Sequence, residues 1–324
     1  MSKFDEQYLE LCDKILRQGE KVVNYTDKTN SARSSRTRNT MPNHVSQAKS
    51  ASATIRIPHY VLEFDLAEEF PILTTKFVAF KSAVLEMLWI WQVMSNDVSW
   101  LKDRGVKIWD EWKIAEDGTY QGRNINEIFA KEHPAEPKTN FAGTIGTAYG
   151  WIVNRYKLTE SLIETLKSNP SNRRMVMSLW QNEWLSTAAL PSCVWSNEWM
   201  AEGGRLNLMV HSRSNDVPLG LPFNITQYAV LCHLIAQVTS LKPGKLTFTI
   251  NDVHIYENQI DGIKEQIRRR DEKLKKDGAL FPAPKLWINP EIKDFFAFDH
   301  SKELKDIRLE DYEHQGRIVM PVTE

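Results

Sequence analysis

The sequence predicts an α+β fold: a single large domain in which a bent, mixed sheet packs on a buried helix. Three observations predict it. The chain has 324 residues, 42% of them apolar and 26% charged, enough for a sizeable core under an ordinary charged surface. Strand-like and helix-like stretches follow one another without repeats and without a low-complexity tract. The longest uncharged run, Leu219–Leu241, still contains Asn224, Gln227, His233 and Gln237, so it reads as a helix buried in protein rather than a membrane span.

Taken in order, residues 4–18 carry Phe4, Tyr8, Leu11, Cys12 and Ile15 on one helical stripe. Residues 19–53 are polar and hold Arg33, Arg36 and Arg38. They read as an arm, either a solvated basic loop or an anion clamp that orders on a ligand. Residues 54–64 alternate as a strand, and Pro71–Lys76 is a turn into an apolar helix over 76–93. Glu86 is the one carboxylate on that helix, where an acid either points to solvent or has a partner or a task. Trp109 and Trp112 lie three apart among acids. They either fill core or form a flat wall for a planar ligand.

Residues 113–142, with Pro134 and Pro137, read as an inserted loop or small lobe, and 143–150 as a glycine turn ending near Tyr149. A helix over 157–168 leads to Arg173 and Arg174, then a strand over 175–180. Strands 192–201 and 205–212 form a hairpin across Glu202-Gly203-Gly204. Gly220 and Pro222 open the helix at 222–240, followed by a strand at 245–255, a charged helix at 257–275 and short strands near 284–288 and 316–320.

The formal net charge of −1 gives no global field toward nucleic acid or anionic lipid, so no dedicated nucleic-acid or membrane partner is expected. The three cysteines, Cys12, Cys193 and Cys232, form no CxxC pair, which argues against a disulfide framework or a cysteine metal site. With a charged N-terminus that lacks an apolar signal region, a cytoplasmic protein is expected.

Candidate chemistry concentrates between Leu190 and Tyr256. Cys193 is either an inert small hydrophobe or a nucleophile, and the second role needs a cation nearby to lower its pKa. The hairpin brings positions 193 and 213 to the same end of one ribbon, so Arg213 can supply that cation. Arg213 and Ser214 together can also grip a phosphate. Asn224 offers a donor and an acceptor, as a uracil edge requires. His254 and Tyr256, two apart on a strand, share a face and can bind sugar hydroxyls or relay a proton.

The ordered strings Pro191-Ser192-Cys193, Arg213-Ser214-Asn215-Asp216, Leu219-Gly220-Leu221-Pro222-Phe223-Asn224 and Asp252-Val253-His254-Ile255-Tyr256 resemble the thymidylate synthase family. Support spreads along nearly the whole chain, through Pro71–Lys76, Glu86–Trp89, Ile108–Trp112, Tyr149-Gly150, Arg173-Arg174 and Met320–Val322.

The resemblance implies methylation of dUMP at C5 by 5,10-methylene-tetrahydrofolate, without a metal, giving dTMP and dihydrofolate. It implies Cys193 as the nucleophile toward C6 and Glu86 as organiser of protons and water. Tyr256 would assist proton removal, Asn224 would select uracil, and His254 with Tyr256 would hold the ribose. Arg213, Ser214 and Arg36 would hold the phosphate, with Arg173 and Arg174 supplied by the partner of a homodimer that pairs through its sheet faces. Asp216, Trp109, Trp112, Leu190, Gly220 and Val322 would serve the folate. A hydroxymethylase that ends with water, and a non-catalytic nucleotide- or RNA-binding protein that uses the arginine clusters, are the competing readings.

Several positions depart from the family's usual residues: Val194 where histidine is usual, Ser212 where glutamine is usual, Gly146-Thr147-Ala148 before Tyr149, Asn251 in place of a glycine, and a tail running on to Thr323-Glu324. The pattern resembles a branch found in bacilli and their phages.

Overall fold

The computed structural model describes residues 2–24 and 52–322. The N-terminal helix α1 (Lys3–Gln18) starts on a Ser2 cap whose side chain accepts from the Asp5 amide. Asp5 is fully buried and answered by the Thr74 and Thr75 amides and hydroxyls at 2.7–3.1 Å, which ties α1 to the turn before the next helix. Strand β1 (Glu20–Asn24) pairs antiparallel with the long β2 (Ser52–Asp65). The expected solvated arm is therefore a sheet strand at its start, and its remainder, with Arg33, Arg36 and Arg38, lies outside the described residues.

Helix α2 (Phe80–Trp91) begins four residues later than its apolar pattern predicts, because Phe77 and Val78 are held by the Gly316 carbonyl and the Tyr312 hydroxyl. Helix α3 (Val98–Lys102) follows, capped by Asp97. The 113–142 stretch is folded: a two-stranded hairpin, β3 (Thr119–Tyr120) and β4 (Arg123–Asn124), then α4 (Ile125–Glu132). Gln121 and Gly122 both take positive φ, as a tight two-residue hairpin turn requires. Phe129 and His133 then pack on Trp184.

Helices α5 (Gly150–Tyr156) and α6 (Leu158–Ser168) meet at Lys157, and the first of them was not anticipated. Gly146 sits in the preceding turn with φ +71°, where a Cβ would lie 2.0 Å from the Thr187 carbonyl oxygen.

The remaining strands are β5 (Val176–Ser178), β6 (Val194–Glu202), β7 (Arg205–Ser212), β8 (Asn215–Asp216) and β9 (Lys242–Tyr256). They complete a seven-stranded sheet in the order β1-β2-β9-β7-β6-β5, with β8 against β9. The sheet is mixed: β7 and β8 run parallel to β9, and the other neighbours are antiparallel. Register shifts at Val194/Ser196 and Leu206/Leu208 break the ladder, the kind of irregularity that bends strands.

Even-numbered positions of β7 and the middle of β9 (Leu206, Leu208, Val210, Leu246, Phe248, Ile250) face the core. Helix α7 (Gly220–Val238) packs against β9 and α2 and is buried on most of its circumference, as its uncharged sequence predicts.

Helix α8 (Ile260–Asp277) ends at Gly278 with φ +72°. Strand β10 (Lys285–Ile288) pairs with β11 (Ile307–Glu310), not with a strand at 316–320. Around 315–317 the chain instead gives the Gln315 and Arg317 carbonyls to Arg269, and Met320 packs on Gly262. No helix among the described residues is long and apolar enough to cross a membrane.

Candidate active site

The hairpin β6–β7 delivers Cys193 and Arg213 as a pair. The Arg213 amide donates to the Cys193 carbonyl at 2.9 Å, and Arg213 Nη2 lies 3.7 Å from Cys193 Sγ. Two carbonyls fix the guanidinium: Nε donates to Ser192 at 3.1 Å and Nη2 to Pro191 at 2.7 Å. The Cys193 amide donates to the Tyr149 hydroxyl at 2.9 Å. Tyr149 is itself held at φ +46°, ψ −107°, a conformation uncommon for a bulky residue and found where the surroundings over-determine it.

Sequence reasoning expects Arg213 to depress the thiol pKa. Arg213 does act in that direction, but burial, the larger cause, together with the Asp252 carboxylate outweighs it and holds the Cys193 thiol above its ordinary value.

Glu86 faces inward, not to solvent. Its Oε1 accepts from Trp109 Nε1 at 2.7 Å and its Oε2 from Gln227 Nε2. Burial raises its pKa to about 7, against the two donors, which favour the charged form. Glu86, Tyr149, Val194, Asn224 and Gln227 line one pocket. Asn224 Oδ1 accepts from Asn215 Nδ2 at 2.9 Å.

On the other side of Cys193, Asp252 takes φ +44° opposite Pro58, where a proline without an N–H leaves a gap in the β2–β9 ladder. Its Oδ2 accepts from the Ser214 hydroxyl at 2.7 Å, and its Oδ1 lies 3.5 Å from Arg56 Nη1. His254 is buried, and its Nδ1–H donates to the Asp252 carbonyl at 3.0 Å, which leaves Nε2 as the acceptor in the neutral ring. Tyr256 packs edge-on to His254, and burial pushes its phenol up to about 12, so it is protonated at neutral pH.

Asp216 Oδ1 accepts from the Leu219 amide at 3.1 Å and Oδ2 from Gln259 Nε2 at 2.9 Å. Burial raises its pKa, against Gln259, Leu219, His254 and Lys76. Gln259 is fully buried and reaches the Pro321 carbonyl at 3.3 Å and the Tyr256 amide at 3.1 Å, so the C-terminal segment is tied to Asp216.

Trp109 and Trp112 meet edge to face at 5.5 Å, and Trp109 also contacts Tyr149 at 5.4 Å; Trp109 is buried in the core and Trp112 packs half-buried against it. Leu190 packs half-buried against the core, Gly220 opens α7 beside Asn215, and Val322 is 58% exposed on the tail.

Two of the expected phosphate ligands stand apart. Arg173 and Arg174 are exposed just before β5, and neither side chain makes a hydrogen bond or ion pair among the described residues. Arg36 lies outside the described residues. Among the described residues no group of three or more His, Cys, Asp or Glu is placed to hold a metal ion.

Sequence reasoning missed Gln227, Asp252, Gln259 and Asn215. Asn215 and Asp252 stand inside the quoted family-like strings, and Gln227 stands three residues after Asn224 on the same face of α7; only Gln259 carried no such signal.

Fold and site together point to an enzyme: an α+β protein whose cysteine–arginine pair adjoins, through Tyr149 and Val194, a pocket lined by a buried carboxylate and an amide. Comparison with known proteins narrows the class. The sequence model of the thymidylate synthase family matches residues 6–324. The thymidylate synthase of Clostridium beijerinckii is 42% identical over 323 residues and covers all of both chains. Those of Bacillus subtilis strain 168 and of Bacillus phage phi3T are each 36% identical over 331 residues, covering 99% of both chains. The structure of a thermostable thymidylate synthase A from Bacillus subtilis superposes with a TM-score of 0.76 at 34% identity, over 98% of this chain and 99% of that one. The chain belongs to the thymidylate synthase family.

Proposed function

We propose that the enzyme methylates dUMP at C5 to give dTMP, with 5,10-methylene-tetrahydrofolate as co-substrate and dihydrofolate released. The observation that carries this reading is the guanidinium of Arg213 held 3.7 Å from the Cys193 thiol, next to a pocket lined by Asn224. Cys193 gives its proton to water in the pocket, the thiolate Sγ bonds to C6 of the pyrimidine, and the electron pair of the 5,6 double bond moves to C5 and onto the O4 carbonyl. Arg213 favours the charged sulfur during that step. Asn224 donates to the O4 carbonyl and accepts N3–H. His254 and Tyr256 hold the ribose hydroxyl, and the protonated Tyr256 relays the C5 proton through its hydroxyl rather than acting as a phenolate base. When the sulfur leaves C6, the double bond re-forms and the thiol is regenerated.

The folate, when bound, supplies the one-carbon unit and the hydride. The residues present fit it. Trp109, Trp112 and Leu190 form an apolar wall for a planar pterin. Asp216, raised in pKa, presents polar atoms above Gly220. The tail through Val322 is anchored by Gln259 and can shut out water. Glu86, fixed by Trp109 and Gln227, orders water and protons between the two substrates.

The same reading makes the enzyme a homodimer. The outer face of the sheet exposes large apolar side chains: Val61, Val176 and Met200 are each 53% exposed, and Trp195 and Met209 each 40%. A patch of that kind on one face is an interface signature. A partner across it supplies Arg173 and Arg174 to the phosphate, alongside Arg36, Arg213 and Ser214. To bind phosphate, the Ser214 hydroxyl turns from Asp252.

Mixing the protein with dUMP and methylene-tetrahydrofolate is expected to raise the dihydrofolate absorbance, and Cys193→Ser to abolish that rise while dUMP still binds. A folded wild-type protein that forms tetrahydrofolate and a hydroxymethylated nucleotide, or nothing, overturns the reading.

A further inference from the structure

Behind Asn224 lies a second amide. Asn215 sits on β8 in register with Val253, and its side chain is 4% exposed. Its Nδ2 donates to Asn224 Oδ1 at 2.9 Å. That is the only side-chain hydrogen bond of either amide among the described residues, and Asn215 Oδ1 is buried with no partner. An amide buried for half its bonding capacity costs stability relative to an aliphatic residue of the same shape. The pair packs beneath Gly220, where a Cβ would come within 3.4 Å of Asn215 Oδ1 and 3.9 Å of Asn224 Oδ1. No other residue of the neighbouring pocket wall hydrogen-bonds to the Asn224 side chain: Val194 is aliphatic, and Glu86 is engaged by Trp109 and Gln227.

We propose that Asn215 is a specificity-determining positioning residue: it fixes the sense of the Asn224 amide and thereby the choice of uracil over cytosine. The proposal rests on Asn224 being the base reader of the proposed reaction. A primary amide turned by 180° about its last torsion keeps its shape and exchanges its donor and acceptor. With Oδ1 held by Asn215, Nδ2 is directed at the ligand, and the second lone pair of Oδ1 stays available. That pattern meets O4 and N3–H of uracil. The reversed amide meets the N4 amine and bare N3 of cytosine. Without an anchor, Asn224 serves both bases; with Asn215 in place, reversal of Asn224 alone sets two NH2 groups against each other, and only a turn of both buried amides together escapes that clash.

The test is kcat/KM for dUMP and for dCMP, read as dihydrofolate formation, in wild type, Asn215→Asp and Asn215→Leu. The aspartate variant only accepts when ionised, so it draws Asn224 Nδ2 inward. The ratio of dUMP to dCMP is expected to fall by at least about 10-fold, the size of one misplaced hydrogen bond. The leucine variant keeps the shape without the bond and is expected to lower the ratio less, in the same direction. The ratio is a property of each folded molecule, so a loss of fold common to both substrates leaves it unmoved. Wild type that prefers dUMP, with both variants keeping its ratio, overturns the role of Asn215 alone. Wild type that does not turn over dUMP overturns the proposed function and this inference with it.

Discussion

Replacing Glu86 by glutamine tests whether burial or hydrogen bonding governs the pocket. Two donors hold the carboxylate, at 2.7 Å from Trp109 and in a short contact from Gln227, and both favour the charged form. Burial opposes them and wins, raising the pKa from 4.5 to about 7. The folded state therefore binds this proton more tightly than the unfolded state does. The resulting stability is fully present below pH 4.5 and is lost as pH rises through about 7. A move of that size corresponds to about 3 kcal/mol between the protonation states, of which ~2.5 kcal/mol falls between pH 5 and 8. In Glu86→Gln this titration is gone, whatever the variant's absolute stability after Gln227 readjusts. Urea unfolding of both proteins at pH 5, 6, 7 and 8 should show the wild type losing ~2.5 kcal/mol relative to the variant. Parallel stability curves across that range would mean that the carboxylate is already charged in the folded protein and that the two donors outweigh burial.

Two further predictions concern the thiol and the sheet face. Cys12 and Cys232 are fully buried with thiols pushed up to about 12, whereas Cys193 is only partly enclosed, so iodoacetamide should label Cys193 alone in the folded protein. Because burial also raises the Cys193 pKa, labelling should be slow at pH 7 and quicken as pH rises, and Arg213→Gln should slow it at a fixed pH; peptide mass spectrometry reads both. Sedimentation at micromolar concentration should give twice the 37.5 kDa chain mass, and Met200→Asp with Met209→Asp should shift it toward the single chain, with dUMP turnover falling in parallel.

The parts of the site that the sequence made legible are those set by local register. Gly203 and Gly204 close the β6–β7 hairpin, so the pairing of Val194 with Ser212 follows and places Cys193 beside Arg213. The uncharged run after Leu219, with its amides and histidine, reads as a buried helix rather than a membrane span, and α7 is a buried helix. What escaped is held by contacts between distant residues. Gln227 reaches Glu86 across 141 positions, and Gln259 reaches Asp216 and Pro321 across 43 and 62. The kink at Asp252 depends on Pro58 lying opposite it, a fact of strand pairing that neither segment states alone. The β1 strand was hidden because Val22 and Val23 stand side by side in a polar stretch, without the alternation of a half-buried strand, and only its partner β2 makes it a strand. The thiol shift was misjudged because a sequence names the cation at 213 but not the depth of the sulfur.

The polar atoms of the site divide into two sets, and the division bears on how the enzyme is assembled. Glu86, Asp216 and Asn224 already have partners, so on the proposed reading the base and folate ends are preset before any ligand arrives. The anion-binding end is different. Arg213 spends donors on the Pro191 and Ser192 carbonyls, Ser214 donates to Asp252, and Arg173 and Arg174 stand exposed without side-chain partners among the described residues. On the proposed reading, the described residues of one chain thus hold the base-reading end of the pocket in place and bring only Arg213 to the phosphate end. On the proposed pairing through Val61, Trp195, Met200 and Met209, that deficit is met by the second chain's arginines. The sheet interface is then not an addition to a finished active site but the condition for closing its charged end.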